Sequence, residues 1–161
     1  DIASMYDRRR QYMAERGAVP ITDEQYLWWD NIIANHYDRA LERYIGLISG
    51  TSLNRNRCFD TGLPSPMRMK FDGKKLYAHR FTYTIRVVLP LSTKDVVRHQ
   101  CANFRCLNPA HVERGDQAQN FLDLLAARAY GVRWDLLPWD PLDTQLNRIA
   151  PQTPHAPEYR I

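Results

Sequence analysis

Cysteine is scarce in this chain, with three in 161 residues. Three cysteines cannot all pair, and a chain of this length can bury a core without crosslinks, so a disulfide framework is not expected. No run of 18 apolar residues occurs, and the opening residues lack the charged-then-apolar pattern of a secretory leader. These absences predict no membrane span and no signal peptide, and they favour a protein of the reducing cytoplasm.

Neither sign of charge is in large excess. Lys and Arg number 22 against 18 Asp and Glu, which gives a net charge of +4 and a pI of about 9.1. This mild basic excess is compatible with a polyanion partner such as DNA but does not identify one. We expect three regions: a helical region at 1–50, a core at 51–131 and an irregular, proline-rich segment at 132–161.

Two of the cysteines stand in a segment rich in metal-binding side chains. Cys101, Cys106 and His111 form the pattern C-x4-C-x4-H. At these spacings one loop can surround a tetrahedral Zn²⁺ with thiolate and imidazole ligands. Cys58 is the simplest fourth ligand, and a closed Cys3His site leaves no position for a reacting water. The sequence therefore predicts a structural zinc, which would hold the nearby His99 in a fixed orientation.

The spacing of these residues is similar to that of a known family. From His99 to Asn120 the chain reads H-x-C-x4-C-x4-H-x8-N, with A-H-R at 78–80 and N-P-A-H at 108–111. This pattern resembles the ββα-metal endonucleases, also called His-Me finger or HNH nucleases. Within that family it is most similar to the His-Cys box and related phage or intron-encoded enzymes. The resemblance covers roughly residues 57–127.

The resemblance implies a fold class, an activity and two site residues. The fold would be α+β, a ββα-metal core with a β-hairpin and a structural zinc, preceded by N-terminal helices. His99 would be the general base that activates water, and Asn120 would hold a catalytic divalent metal such as Mg²⁺. Many relatives have a metal-binding aspartate just before the histidine, where this chain has Arg98. The His-Cys box branch, in which asparagine is the lone protein ligand, accommodates that difference.

A predicted hairpin supplies the candidate DNA contacts. Asp72-Gly73 is a strong turn signal, and Met67–Phe71 before it is a predicted strand. A two-stranded ribbon fits a DNA groove, whereas the alternative is an ordinary edge hairpin guarded by lysines. The candidate DNA-binding residues are Arg68, Lys70, Lys74 and Lys75.

The resemblance also implies a role for an arginine, and its A-H-R stretch contains a further histidine. The family has an arginine that stabilises the departing oxygen of the phosphodiester, and Arg68 and Arg80 are both candidates for that role. His79 stands in the same A-H-R stretch, and we expect it to be a buried histidine that is hydrogen-bonded inside the fold.

Lys74 to Thr84 is either a return strand or the start of a helix, and the resemblance favours a strand that runs into a helix.

The remaining helices follow from caps and apolar spacing. Ile2 to Arg16 is a predicted helix. Its Arg8-Arg9-Arg10 run could be a phosphate-contacting arm, but we expect it to be a solvated helix face. A Thr22 and Gln25 capping box begins a long amphipathic helix from Asp23 to Leu47, whose aromatic stripe is expected to be core.

Around the zinc loop we predict short strands at 95–99 and 112–114 and a second capping box. Asp116 and Gln119 form that box, and it begins a helix of about 117–129. Asn120 then lies near the positive helix end, on a face shared with Asp123, opposite His99.

Two other classes of function are consistent with the same residues. A zinc-stapled DNA-binding module would dock without cutting, and it would have no need to place His99 and Asn120. A protein interaction domain, or a homodimer, could instead use the aromatic helix of residues 23–47.

Overall fold

Helix α4 lies at the centre of the fold. In this computed structural model, which describes residues 2–17, 23–49 and 57–132, α4 spans Ala78–Val87 and seven of its ten residues are buried. The other elements are α1 (Ile2–Glu15), α2 (Glu24–Asn35), α3 (Tyr37–Ile48), β1 (Arg68–Phe71), β2 (Lys74–Tyr77), β3 (Val96–His99), a short 3-10 helix (Pro109–His111), β4 (Val112–Gly115) and α5 (Gln117–Tyr130). This mixture of helices and two small sheets confirms the α+β class.

The aromatic stripe of α2 and α3 forms the core against α4. Trp29, Ile33, Tyr37 and Tyr44 are each at most 2% exposed. The hydroxyl of Tyr37 donates to the carbonyl of Ile85 at 3.3 Å, so the polar end of that ring is also satisfied inside the protein. The stripe is core, as predicted, and the chain itself covers these rings.

The predicted long helix of residues 23–47 is wrong in one respect, because it is two helices. His36 separates them with φ −132° and ψ 23°, while its N–H still donates to the carbonyl of Ile32 at 2.9 Å. The predicted cap is also corrected. Asp23 caps α2 by accepting from the N–H of Tyr26 at 3.0 Å, and Thr22 lies outside the described residues.

The hairpin turn is as predicted. Strands β1 and β2 pair antiparallel, with Arg68 opposite Tyr77 and Phe71 opposite Lys74. Asp72 and Gly73 both have positive φ, 48° and 79°, which is the conformation of a two-residue type I′ turn. Strand β2 then runs directly into α4, which confirms the strand-to-helix arrangement.

The strands around the zinc loop also form. Val96 of β3 lies opposite Gly115 of β4 in an antiparallel pair. The predicted capping box of α5 is present: the N–H of Gln119 donates to Asp116 at 2.8 Å, and the N–H of Asp116 donates to the Gln119 side chain at 3.0 Å. Asn120 therefore lies in the first turns of α5, where the cap begins the helix.

The predicted first helix is confirmed, but its arginines are not all solvated. Arg8 is buried and its guanidinium donates to the carbonyl of Arg86, while Arg9 donates to the carbonyls of Ile33 and Ala34. These two side chains donate to carbonyls at the C-terminal ends of α4 and α2, and they hold α1 against the core. Their hydrogen bonds to the core explain why they are not exposed.

Two expectations concern membranes and the chain end. Within residues 2–17, 23–49 and 57–132, no helix has both the length and the apolar character that a bilayer span requires. The predicted irregular segment at 132–161 lies, apart from Val132, outside the described residues.

Candidate metal centre and histidine cleft

Four side chains converge at one end of β3 and β4. The ligand atoms of Cys58, Cys101, Cys106 and His111 all lie within 4.8 Å of one another. His111 Nδ1 is 3.6 Å from Cys58 Sγ and 3.6 Å from Cys106 Sγ. A tetrahedral Zn²⁺ with Zn–S of about 2.3 Å and Zn–N of about 2.0 Å would hold sulfur and nitrogen about 3.5 Å apart. The cluster therefore has the ligand set and the spacing to hold one zinc ion.

Backbone pairing brings Cys58 to the loop from a distant part of the chain. Asp60 forms an isolated antiparallel bridge with Cys106, and the N–H of Leu107 donates to the carbonyl of Phe59 at 2.9 Å. These contacts hold the Cys58 segment against the C-x4-C loop, so the fourth ligand is placed by main-chain hydrogen bonds.

Asn108 organises the loop from inside. Its Nδ2 donates to the carbonyl of Arg57 at 3.0 Å, and its Oδ1 accepts from the N–H of Ala110 at 2.9 Å. The second bond caps the short 3-10 helix that ends at His111, with Pro109 at its start. The N-P-A-H motif therefore forms a capped turn that places His111 in the cluster.

Hydrogen bonds within the cluster shift the pKa values of Cys58, Cys101 and His111. Hydrogen bonds from Cys101 and Cys106 lower the pKa of the Cys58 thiol, whereas hydrogen bonds from Cys106 and Cys58 raise the pKa of Cys101. Burial lowers the pKa of His111, but its hydrogen bonds with Cys106 and Cys58 outweigh this and leave that pKa raised to about 9. Cys58 is thus the cysteine for which the cluster favours thiolate, the form that binds metal.

His99 is the last residue of β3 and is held by the metal-binding loop. Its Nε2 lies 3.1 Å from the carbonyl oxygen of Cys106. A carbonyl only accepts, so Nε2 carries the hydrogen and Nδ1 keeps a free lone pair. The side chain is 8% exposed, and burial lowers the pKa of His99 to about 4. The ring is therefore neutral near pH 7, with its tautomer fixed by the backbone.

A cleft of about 350 Å³ adjoins His99. Asn120 of α5 lines it, together with His79 and Arg80 of α4 and Asp95 before β3. The structure thus brings His99 and Asn120 to one cleft, as the sequence predicted.

His79 is a further residue of this cleft, which the sequence analysis had placed inside the fold. Its ring is half-buried, with its centroid 4.4 Å from that of His99 and 5.6 Å from that of Tyr77. Burial is the largest cause that lowers the pKa of His79 well below its ordinary value. The expected position inside the fold is therefore corrected to one in the cleft wall. The position of the A-H-R motif at the junction of β2 and α4 is the signal that could have indicated this.

The two candidate arginines lie in different places. Arg68 is exposed, with its guanidinium carbon 4.9 Å from the centroid of Tyr77, and it lines a neighbouring groove. Arg80 borders both that groove and the His99 cleft, and it donates to the carbonyl of Asp95 at 2.7 Å and to the side chain of Gln25. Arg80 is thus the candidate that reaches the cleft.

The predicted DNA-binding residues border two depressions beside the hairpin. Arg68, Lys74 and Lys75 line the groove against α2. Lys70 borders a second depression, formed with α3, that includes Arg43. Arg68, Lys70 and Lys75 nevertheless share one face of the hairpin, because Lys70 lies two residues from Arg68 and directly opposite Lys75, whereas Lys74 pairs with the buried Phe71 on the other face.

Arg98 is buried where many relatives of the resembled family have an aspartate. It is 4% exposed, with Nη2 3.3 Å from Glu113 Oε2 and Nε 2.7 Å from Asp123 Oδ2. Gln100 also donates to Glu113 at 2.6 Å. Asp123, which was predicted to project beside Asn120 towards the cleft, is instead turned to Arg98. A buried guanidinium requires such carboxylate partners, which explains the correction.

No protein-family model, curated protein or solved structure matches this chain. The resemblance to ββα-metal nucleases therefore rests on the motif residues of the sequence. The structure itself shows a Cys3His cluster that could hold zinc, a histidine hydrogen-bonded to the loop of that cluster, and an asparagine that lines the same cleft as the histidine.

Proposed function

We propose that this protein is a metal-dependent DNA endonuclease in which β3, β4 and α5 form a ββα-metal core. One observation carries the proposal. His99 and Asn120 line the same cleft, and the backbone of Cys106 leaves the Nδ1 lone pair of His99 free. A base and a metal-holding carboxamide in one cleft are what hydrolysis of a phosphodiester by activated water requires.

The proposed role of zinc is structural. All four ligands come from the protein, so a tetrahedral ion would have no open position for water. Cys106 has two functions in this arrangement, because its thiol belongs to the cluster and its carbonyl accepts from His99. Zinc would therefore determine where His99 points without taking part in the reaction.

His99 supplies the general base. Its Nδ1 takes a proton from water as the water oxygen forms a bond to phosphorus in line with the departing 3′ oxygen. The P–O3′ bond breaks and the departing 3′ oxygen takes a proton from solvent water, which gives a 5′-phosphate and a 3′-hydroxyl. The carbonyl of Cys106 stabilises the imidazolium that forms, since it accepts from Nε2. A phosphate in the cleft places negative charge beside the ring and raises the pKa of His99 towards the working range.

Asn120 would hold the catalytic cation. Its carboxamide oxygen is a hard ligand that suits Mg²⁺, and the nearby carboxylate of Asp123 is engaged by Arg98. A bound divalent metal supplies charge neutralisation at the phosphate and at the leaving oxygen. Asn120 positions the phosphate from one side of the cleft and Arg80 adds positive charge at its border.

An end-labelled duplex oligonucleotide tests the proposed chemistry. Zinc-loaded protein with Mg²⁺ should convert it to fragments that carry 5′-phosphate and 3′-hydroxyl ends, as read by ligation and by phosphatase treatment. Fragments with 3′-phosphate ends would contradict the assigned leaving group. Binding without any cleavage, in Mg²⁺ or Mn²⁺, would contradict the proposal that the protein is a nuclease.

A DNA-binding module that docks without cutting is the second candidate. It is favoured by one observation, namely that Arg68, Lys74 and Lys75 gather in a groove that does not need His99. The same oligonucleotide assay separates the two functions, because only the nuclease yields products. An interaction domain built on the aromatic stripe is less well supported, since the stripe is buried in the core.

A further inference from the structure

A second groove continues the His99 cleft along the protein surface. It lies between α2 and the hairpin of β1 and β2, and its volume is about 300 Å³. Tyr77 and Arg80 line both spaces, so the groove and the cleft share a wall. A polymer whose phosphate lay beside His99 would therefore have a neighbouring unit at or in this groove.

The groove is walled by aromatic rings. Trp29 is 1% exposed, Trp28 beside it is half-buried, and Tyr77 on the hairpin is 36% exposed. Neighbouring residues of a helix point about 100° apart, so Trp29 can fill the core while Trp28 borders the groove. This explains two consecutive tryptophans of which only one belongs to the buried stripe.

Cations accompany these rings. Lys74 Nζ lies 5.2 Å from the ring centroid of Trp28, and the guanidinium carbon of Arg68 lies 4.9 Å from that of Tyr77. Lys75 lines the same groove and is exposed. Lys74 and Trp28 both line the groove, so a base that stacks on this face of Trp28 would take the place of the ammonium. Rings for stacking and cations for phosphates thus occur together.

This chemistry fits a nucleotide whose base is unstacked. In duplex DNA each base face is covered by its neighbours, and only the edges and the phosphates are open to protein. A groove with ring walls can use a base face only after the base has left the stack or where it was never paired. Its volume of about 300 Å³ is at the small end of ligand pockets, which suits one base.

We propose that the groove between α2 and the hairpin binds an unpaired nucleotide adjacent to the phosphate in the His99 cleft. Trp28 stacks on the base, and Arg68, Lys74 and Lys75 contact the flanking phosphates. The inference rests on the proposed function and specifies its substrate class. That substrate is a nucleic acid with a single-stranded segment, such as an overhang or a fork, in preference to continuous duplex.

Binding of labelled oligonucleotides tests the groove separately from cleavage. The full chain carrying His99→Ala is titrated into a fluorescein-labelled oligothymidine and into a blunt duplex, and anisotropy is measured. The single strand should bind more tightly, and Trp28→Ala should weaken that binding by about tenfold or more, while duplex binding changes little. Arg68→Ala should weaken binding and lower its salt dependence. Arg43→Ala, which removes an exposed arginine of α3 outside the groove, should change neither.

A second variant distinguishes loss of base stacking from loss of the folded structure. Trp28→Phe keeps an aromatic face, so it should retain most of the binding and the wild-type circular dichroism. Quenching of tryptophan fluorescence by bound oligothymidine should nevertheless fall in Trp28→Phe, because the stacked indole is gone. A merely structural role for Trp28 would leave that quenching unchanged.

The outcomes distinguish this inference from the nuclease proposal. Equal affinity for single strand and duplex, or binding that does not depend on Trp28, would overturn the groove assignment even in a protein that cleaves DNA. Conversely, Trp28-dependent binding of single strands by a wild-type protein that cleaves nothing would support the groove and reject the nuclease.

Discussion

Arg98 Nε lies 2.7 Å from Asp123 Oδ2, and this ion pair joins the strand that ends in His99 to the helix that carries Asn120. The contact is a charge pair without the alignment of a hydrogen bond. The two side chains are 5% and 12% exposed, so little water screens the attraction. Arg98 therefore links the strand and the helix that form the two sides of the cleft.

Arg98→Met should destabilise the protein strongly. It leaves the carboxylates of Glu113 and Asp123 buried beside an apolar side chain, which costs about 3–5 kcal/mol when one partner of a buried pair is removed. Urea denaturation followed by circular dichroism measures the loss. Arg10→Ala is the control, since Arg10 and its partner Asp7 are each 68% exposed and such a pair contributes about 0–1 kcal/mol. Equal losses of unfolding free energy in the two variants would show that the buried ion pairs contribute no more to stability than an exposed pair.

Gly115→Ala tests the path of Arg98 directly. A Cβ at Gly115 would lie 2.5 Å from Arg98 Cδ and 2.5 Å from Gln119 Oε1, so it would displace both side chains. We expect a loss of about 1–3 kcal/mol in the free energy of unfolding, as for other overpacked sites. Gly46→Ala, in helix α3, meets nothing within 4 Å and should instead stabilise by about 0.5–1 kcal/mol. A Gly115→Ala protein as stable as wild type would contradict this packing.

Cys106→Ser should release zinc and unfold the loop. Binding free energy at such clusters is folding free energy, so loss of one thiolate removes both metal and structure. Elemental analysis of purified protein should find one zinc per wild-type chain and much less in the variant. His36→Ala, at the junction of α2 and α3, should keep the full zinc content. One full equivalent of zinc in Cys106→Ser would refute the ligand set.

Stability should depend on pH through the cap of α2. Asp23 accepts hydrogen bonds from the N–H of Tyr26 and from Thr93, and these lower its pKa below the ordinary value of 3.8. A carboxyl with a lowered pKa contributes stability that is fully present above its ordinary pKa and is lost as pH falls through the lowered value. Asp23→Ser keeps a capping oxygen without the charge, so its unfolding free energy should fall less steeply below about pH 5. Identical pH slopes in the two proteins would contradict this role.

Local signals predicted the elements that depend on few residues. The Asp72-Gly73 turn, the Asp116 and Gln119 capping box and the C-x4-C-x4-H loop each concern residues close in sequence, and each is present in the structure. The break at His36 gave no such signal. It has no glycine or proline beside it, and the buried positions keep helical spacing across it, from Ile33 through Tyr37 to Leu41.

Contacts between distant residues were beyond the sequence. The charge at Arg98 shows no partner until β3 and α5 are packed, so Asp123 was assigned to the cleft. His79 was assigned to the interior because one histidine in an apolar stretch gives no sign of the ring beside it. Trp28 was given no role from the sequence, because its groove exists only once the hairpin lies against α2.

Plasmid cleavage is the most direct test of the nuclease. Zinc-loaded wild-type protein with Mg²⁺ should nick or linearise supercoiled plasmid. His99→Ala should lower the initial rate by about 100-fold or more, as expected when a general base is lost, while His36→Ala should match wild type. Asn120→Ala should also be slow, and partial rescue by raised Mg²⁺ is expected for a lost metal ligand. If wild type and His99→Ala behave alike, whether both cleave or neither does, the cleft is not the active site of a nuclease.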